Sequence, residues 1–302
     1  MADWGDNGAV AVAQVTDLPV SEHLRHAFSA ALRPYASSCV GYRDAGVPPA
    51  LHRGLPSPDI TIIFSLDEPL MIAAHPDPAQ RPGSFATLIG GLHTTPALIS
   101  HDGWQSGIQV SLSPLGARAL LGMPAGELAG IDVHGTDILG PAANRVRDRL
   151  QAMTGWPERF ALVEQVLMER LRRADGEADL SGEVRHAWLQ LMRSGGRIPV
   201  SRLAAQTGWS DRHLRTRFRT ETGLGPKEAA RVIRFDRARR QLMQRALAGQ
   251  PPALADLAAE AGYFDQAHLN RDFALLAGCS PTTWLATEFR NFQAAAAAPL
   301  PE

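Results

Sequence analysis

Apolar residues change their spacing along this chain of 302 residues, and the textures that result predict different structures. Between Val40 and Pro114 they come in short β-branched or alternating runs: Ile60-Thr-Ile-Ile-Phe64, Leu70-Met-Ile-Ala73, Phe85-Ala-Thr-Leu-Ile89, Ala97-Leu-Ile-Ser100 and Gly107-Ile-Gln-Val-Ser-Leu112. Pro69, Pro76, Pro78, Pro82, Gly90, Gly91, Pro96 and Gly103 separate the runs, as turns separate the short strands of a small barrel or sandwich. A β-rich domain is expected over 1–140. From Ala142 the period becomes helical, with Val146, Leu150 and Met153 on one face. Thr154-Gly-Trp-Pro157 breaks that helix, and Phe160, Val163, Leu167 and Leu171 then form a second apolar stripe with Arg and Glu opposite. Both stripes either pack inward, under the β domain or on each other, or form a dimer contact. The polar, Gly-containing stretch Asp175-Gly-Glu-Ala-Asp-Leu-Ser-Gly182 reads as the domain linker, so 141–180 is a helical connector with its linker. Helical periodicity resumes at Val184–Met192, the first helix of an all-α region over 181–292, and 293–302 is expected to be a disordered tail.

Inside the all-α region one pattern occurs twice. Leu203-Ala-Ala-Gln-Thr-Gly208-Trp-Ser-Asp-Arg-His-Leu214-Arg-Thr-Arg-Phe218 is echoed by Leu257-Ala-Ala-Glu-Ala-Gly262-Tyr-Phe-Asp-Gln-Ala-His-Leu269-Asn-Arg-Asp-Phe273. Each copy is an Ala-rich segment ending at a Gly able to close a helix in the left-handed conformation, followed by Ser210 or Asp265 as cap of a second helix. Leu214 and Phe218, like Leu269 and Phe273, lie four residues apart and share a buried face. Arg212, Arg215, Thr216 and Arg219 remain on the polar side of the first copy, and Gln266, Asn270 and Arg271 on that of the second. Arg pairs with guanine and Asn or Gln with adenine in the major groove, so these residue types suit base contact. Helix, Gly turn, helix, twice over, predicts two helix-turn-helix units.

These motifs resemble the DNA-binding domain of the AraC/XylS family of bacterial transcription regulators, over Ile198 to Phe289. The match is strongest at Gly262-Tyr-Phe-Asp-Gln-Ala-His-Leu-Asn-Arg-Asp-Phe273 with Gly278-Cys-Ser-Pro281-Thr-Thr-Trp284. The resemblance implies two units joined by one long helix, here Pro226 to about Ala246, with both recognition helices on one side. It also implies base contacts by Arg212, Arg215 and Thr216 in the first unit and by Gln266, Asn270 and Arg271 in the second. Ala274 stands where the family commonly has Lys or Arg, and Ala267 offers only a methyl group. The stretch from His101-Asp-Gly-Trp to Leu121-Gly-Met-Pro124 is similar, more weakly, to N-terminal regions of actinobacterial members.

Charge divides along the same boundary. Ser181 to Phe292 carries 17 Arg or Lys against 10 Asp or Glu, a net of +7, while the whole chain is at −1 and the remainder therefore at −8. A basic segment on an acidic partner domain is the footprint of nucleic-acid binding. Along the linking helix, Arg231, Arg234, Arg237, Arg239 and Arg240 either approach phosphates or form a solvated face partly paired with Asp236. No run approaches the ~18 apolar residues of a membrane span. The acidic start, Met1-Ala-Asp-Trp-Gly-Asp, lacks the features of a signal peptide. Cys39 and Cys279 have neither metal-site nor disulfide-framework spacing, so a cytoplasmic location is expected.

No nucleophile elbow, phosphate loop or dinucleotide fingerprint appears, and neither catalytic residue, metal nor cofactor is expected. A DNA-repair methyl acceptor fused to the same kind of DNA-binding domain is the remote alternative. It needs a cysteine held as thiolate by His or Zn, whereas Cys39 sits in Ser-Ser-Cys-Val-Gly. His52, His75, His93 and His101 could converge on a ligand or metal only if the strands bring them together. The expectation is an α+β protein: a β-rich barrel or sandwich, a helical connector and two helix-turn-helix units. It regulates transcription under control of a small ligand or of dimerisation, the alternative being a ligand-independent dimer. Operator DNA is the main partner, with RNA polymerase, a small effector and a second copy as candidates and no membrane.

Overall fold

The structure is a computed structural model that describes residues 20–174 and 181–296. Most of the expected linker therefore lies outside the described residues, as does the tail from residue 297. Ten strands and eleven α-helices are described. The larger sheet is antiparallel in the order β1 (Val20–His26), β2 (Ala36–Ala45), β9 (Gln105–Leu112), β4 (Ile60–Ser65), β7 (Thr87–Gly90) and β10 (Asp132–His134). The smaller runs β3 (Ala50–Gly54), β8 (Ala97–His101), β5 (Leu70–Ala74) and β6 (Gly83–Phe85). Neither closes on itself among the described residues, which makes the arrangement two stacked open sheets.

Alternation along β4 shows how the layers are built. Ile60, Ile62 and Phe64 join the main core on the helical side, while Ile63 turns to the other face and meets Leu70, Ile72, Phe85, Leu88 and Ile99 between the sheets. The run Phe85–Ile89, which reads as one strand, is two. The chain leaves the small sheet at Phe85, passes Ala86, whose carbonyl accepts from Ser65 N–H at 3.1 Å, and enters the large sheet as β7.

Helices α1 (Ala117–Leu121), α2 (Gly135–Leu139), α3 (Ala142–Ala152) and α4 (Trp156–Arg173) follow the strands. Leu150, Phe160, Val163 and Leu167 are buried in the same core as β4, so both connector stripes pack inward. Trp156 lies flat on β2 at Gly41, where a β-carbon would sit 2.4 Å from the indole ring. The all-α part comprises α5 (Gly182–Arg193), α6 (Val200–Thr207), α7 (Asp211–Thr222), α8 (Pro226–Leu247), α9 (Leu254–Ala261), α10 (Gln266–Ala277) and α11 (Pro281–Ala296). α11 thus runs four residues into the stretch expected as a tail. Leu214, Phe218, Phe235, Leu269, Phe273 and Trp284 are fully buried, and they are continuous with the core under the large sheet.

Candidate nucleic-acid interface

Both helix-turn-helix units are stopped and started by the expected residues. Gly208 and Gly262 close α6 and α9 at φ +71° and +87°, where a side chain would be strained. Ser210 then accepts from the His213 N–H at 3.3 Å and Asp265 from the His268 N–H at 2.7 Å, capping α7 and α10. α8 opens with Gly225 N–H donating to Glu228 at 2.8 Å and with Pro226 in its first turn.

On α7, Arg212, Arg215 and Thr216 are exposed on the side opposite Leu214 and Phe218. Arg215 meets Asp211 at 3.8 Å, an exposed contact that holds it weakly, and Thr216 Oγ1 donates to the Arg212 carbonyl at 3.1 Å. Arg219 is also exposed but is tied to Glu228 and lies in the second half of α7. On α10, Gln266 and Arg271 are exposed, with Arg271 Nε donating to the Ala267 carbonyl at 3.3 Å. Asn270 differs from the rest: it is half-buried and its side-chain oxygen is turned away from solvent.

The arginines of α8 are largely engaged within the protein. Arg231 donates to the buried Asp272 of α10 at 2.7 Å, and Arg234 donates to the Gly196 carbonyl at 2.8 Å while lying over the Tyr263 ring. Arg239 and Arg240 both pair with buried Asp236, the latter at 2.7 Å. Arg231 and Arg234 thus tie α8 to α10 and to the turn before α6, while Arg239 and Arg240 pair within α8 itself.

A contact across the two halves was not legible beforehand. Arg118 of α1 donates two hydrogen bonds to Glu221 of α7, at 2.9 and 3.0 Å, with the carboxylate almost fully buried. Beside it the 3₁₀ turn Ala125–Leu128 docks on the end of α7, and a β-carbon at Gly126 would lie 2.1 Å from the Thr220 carbonyl oxygen. The pair is separated by 103 residues, and the one local signal is an acid at the end of an Arg-rich helix.

The remaining candidate chemistry disperses. His52 faces His101 with ring centroids 5.9 Å apart, while His75 bonds Asp132 at 2.7 Å and His93 contacts the Thr95 carbonyl. The four histidines form two separate groups, and among the described residues no three His, Cys, Asp or Glu side chains gather as a metal site requires. Cys39 is fully buried, and burial followed by the charge of Glu164 pushes its thiol up to about 12, the opposite of an activated nucleophile. No described helix is long and apolar enough to cross a membrane. At one end of the stacked sheets a cavity of about 380 Å³ opens, reached past Trp104 and floored by Tyr42.

Residues 203–287 match the family described as a helix-turn-helix domain. No curated protein shows a match to the chain. Among solved structures, ToxT from Vibrio cholerae O395 is similar at 9% identity over 82% of this chain and 96% of that one, with a TM-score of 0.48. ToxT from strain SCE256 with a bound unsaturated fatty acid is similar at 10% identity, over 89% and 95%, with a TM-score of 0.47. The C-terminal domain of AraT, a response regulator from Geobacillus stearothermophilus, is similar at 21% identity over 36% of this chain and 87% of that one, with a TM-score of 0.32.

Proposed function

We propose, on the premise that residues 203–287 are an AraC-type helix-turn-helix domain, that the protein is a sequence-specific transcription regulator whose N-terminal half adjusts its hold on DNA in response to a small molecule. One observation carries the DNA-binding part: two capped helices of matching design, α7 and α10, each present exposed Arg or Gln side chains opposite a buried Leu/Phe pair. Arg212, Arg215, Thr216, Gln266 and Arg271 read base edges, with Arg219 at the margin and Asn270 after a rotation of its amide. The cavity between the sheets supports the sensing part, since its volume lies in the range of small-molecule sites. Coupling runs through α1 and α7, joined by Arg118 and Glu221. An effector shifts DNA binding only by binding two arrangements of that contact with different affinity.

The test is selection of duplexes from a random pool by the full chain, followed by titration of a selected and a scrambled duplex at fixed salt. A regulator of this kind prefers the selected duplex by about 10³-fold or more. Equal affinity for both, falling together with salt, would mean phosphate contact alone and would overturn the reading.

A further inference from the structure

The cavity at the end of the stacked sheets has a definite electrical character. No Arg or Lys lines it, whereas two carboxylates do, Glu68 and Asp102. At its floor, the Tyr42 hydroxyl is held above its ordinary range by burial and then by the negative charges of Asp44 and Asp67. Asp44 is itself ionised at neutral pH: burial pushes it up, but hydrogen bonds from His23, Ser21 and Gln105 outweigh that and bring it down to about 2. Arg147 reaches the Ser65 and Asp67 carbonyls from α3 at 2.8 and 3.1 Å, and Arg43 lies on the opposite side of the β2 pleat from Tyr42. His101, in the lining, accepts the Gly103 N–H at 3.2 Å on Nδ1, and burial lowers its neighbour His52 to about 4, so His52 is neutral near pH 7.

The mouth is apolar and aromatic. Trp104 is 59% exposed and Met71 47%, large areas to leave in water. The backbone N–H of Trp104 donates to the Asp102 carboxylate at 3.2 Å, closing one tight turn that carries both residues. That turn is anchored: Val47 N–H donates to the Gly103 carbonyl at 3.3 Å, and at φ +108° a β-carbon on Gly103 would meet the Val47 carbonyl oxygen at 2.2 Å. An exposed indole and two carboxylates lining one cavity that holds no Arg or Lys are the groups that hold an ammonium by cation–π attraction and ion pairing.

We propose that this cavity binds a small organic cation, an amine with an aromatic or aliphatic body, whose ammonium group meets Asp102 and Glu68 while its apolar part covers Trp104 and Met71. The assignment rests on reading the N-terminal half as the sensing part. It disfavours carboxylate ligands at this site, because Glu68 and Asp102 would repel them.

Three probes with one indole body separate charge from shape: tryptamine, tryptophol and indole-3-propionate, each titrated into the full chain by calorimetry with thermal shift in parallel. Tryptamine is expected to bind about 10-fold or more tightly than the alcohol, and the propionate not at all. Trp104→Ala and Asp102→Asn should each weaken tryptamine about 10-fold. Their unliganded melting curves should change little, because Trp104 is exposed. Glu68→Gln provides a second variant should either fail to fold. Equal binding of amine and alcohol, tighter binding of the propionate, indifference to all three substitutions, or no binding of tryptamine at millimolar concentration would each overturn the proposal. The same preparation, tested on the selected duplex, distinguishes the two failures: a chain that ignores tryptamine yet prefers its duplex disproves the cation site and leaves DNA recognition standing.

Discussion

Removing the Arg118 guanidinium should loosen the two halves of the molecule by a measurable amount. In an Arg118→Met variant the aliphatic stem stays but both hydrogen bonds to Glu221, at 2.9 and 3.0 Å, are lost. Breaking one partner of a well-buried ion pair commonly costs about 3–5 kcal/mol, because a desolvated charge is left behind. Two features lower that figure here. Arg118 is 31% exposed, so water screens part of the pair, and Arg217 stays 3.8 Å from the same carboxylate as a residual cation. The expected cost is about 2–3 kcal/mol. Glu221→Gln, which keeps two hydrogen-bonding atoms but no charge, should cost about 1–2 kcal/mol, and the double variant should show a coupling of about 1–2 kcal/mol. Urea unfolding of the four full-length chains, followed by both fluorescence and circular dichroism, measures the cycle. A coupling below about 0.5 kcal/mol would refute the reasoning, since it would mean that Glu221 is satisfied without Arg118. The same variants bear on regulation: if the contact restrains α7, Arg118→Met should alter affinity for a selected duplex although Arg118 lies on a helix outside the DNA-binding domain.

Other outcomes follow from the same geometry. Arg215→Ala and Arg271→Ala should each lose about 1–3 kcal/mol on a selected duplex and much less on a scrambled one; equal losses in paired titrations would reassign the residue to phosphate contact. Two reading helices braced by α8 should protect two short, unlike elements about 34 Å apart on one side of the duplex, and hydroxyl-radical protection confined to one groove would contradict simultaneous engagement. Burial raises Asp59 to about 6, against hydrogen bonding from Ser37, so the folded chain binds this proton more tightly than the unfolded chain does. Its contribution must therefore destabilise as pH rises from about 4 towards 7, by ~1–3 kcal/mol, and Asp59→Asn should flatten that part of the stability–pH curve; a variant whose curve parallels the parent excludes Asp59 as the source.

Legibility in the sequence followed the range of the interactions. Gly208, Ser210, Leu214 and Phe218, with their counterparts at Gly262, Asp265, Leu269 and Phe273, act on neighbours within a turn or two, and their roles could be read from spacing. β2 could not: Ala36–Ala45 is mostly small or polar, and it is a strand because β1 and β9 flank it and Trp156 needs the bare backbone of Gly41. The split of Phe85–Ile89 was hidden because both halves are apolar and only the layers they enter differ. Of the arginines of α8, Arg239 and Arg240 pair with Asp236 at helical spacing, which the sequence could show, whereas Arg231 and Arg234 are claimed by Asp272 and the Gly196 carbonyl through tertiary contacts, which it could not. Asn270 had the right residue type and register, yet its rotamer withdraws its oxygen.

Gly126 bears on a question of engineering. A domain swap that relied on a flexible tether alone would not reproduce the joint between the two halves. In this molecule the joint is a fitted surface: the backbone at Gly126 approaches α7 so closely that any side chain would collide with the Thr220 carbonyl. A chimera that keeps the α-helical half but receives a foreign N-terminal domain will rebuild this joint only if the incoming domain has equally bare backbone there and a cation for Glu221. Without both, the two parts can fold yet fail to seat against each other.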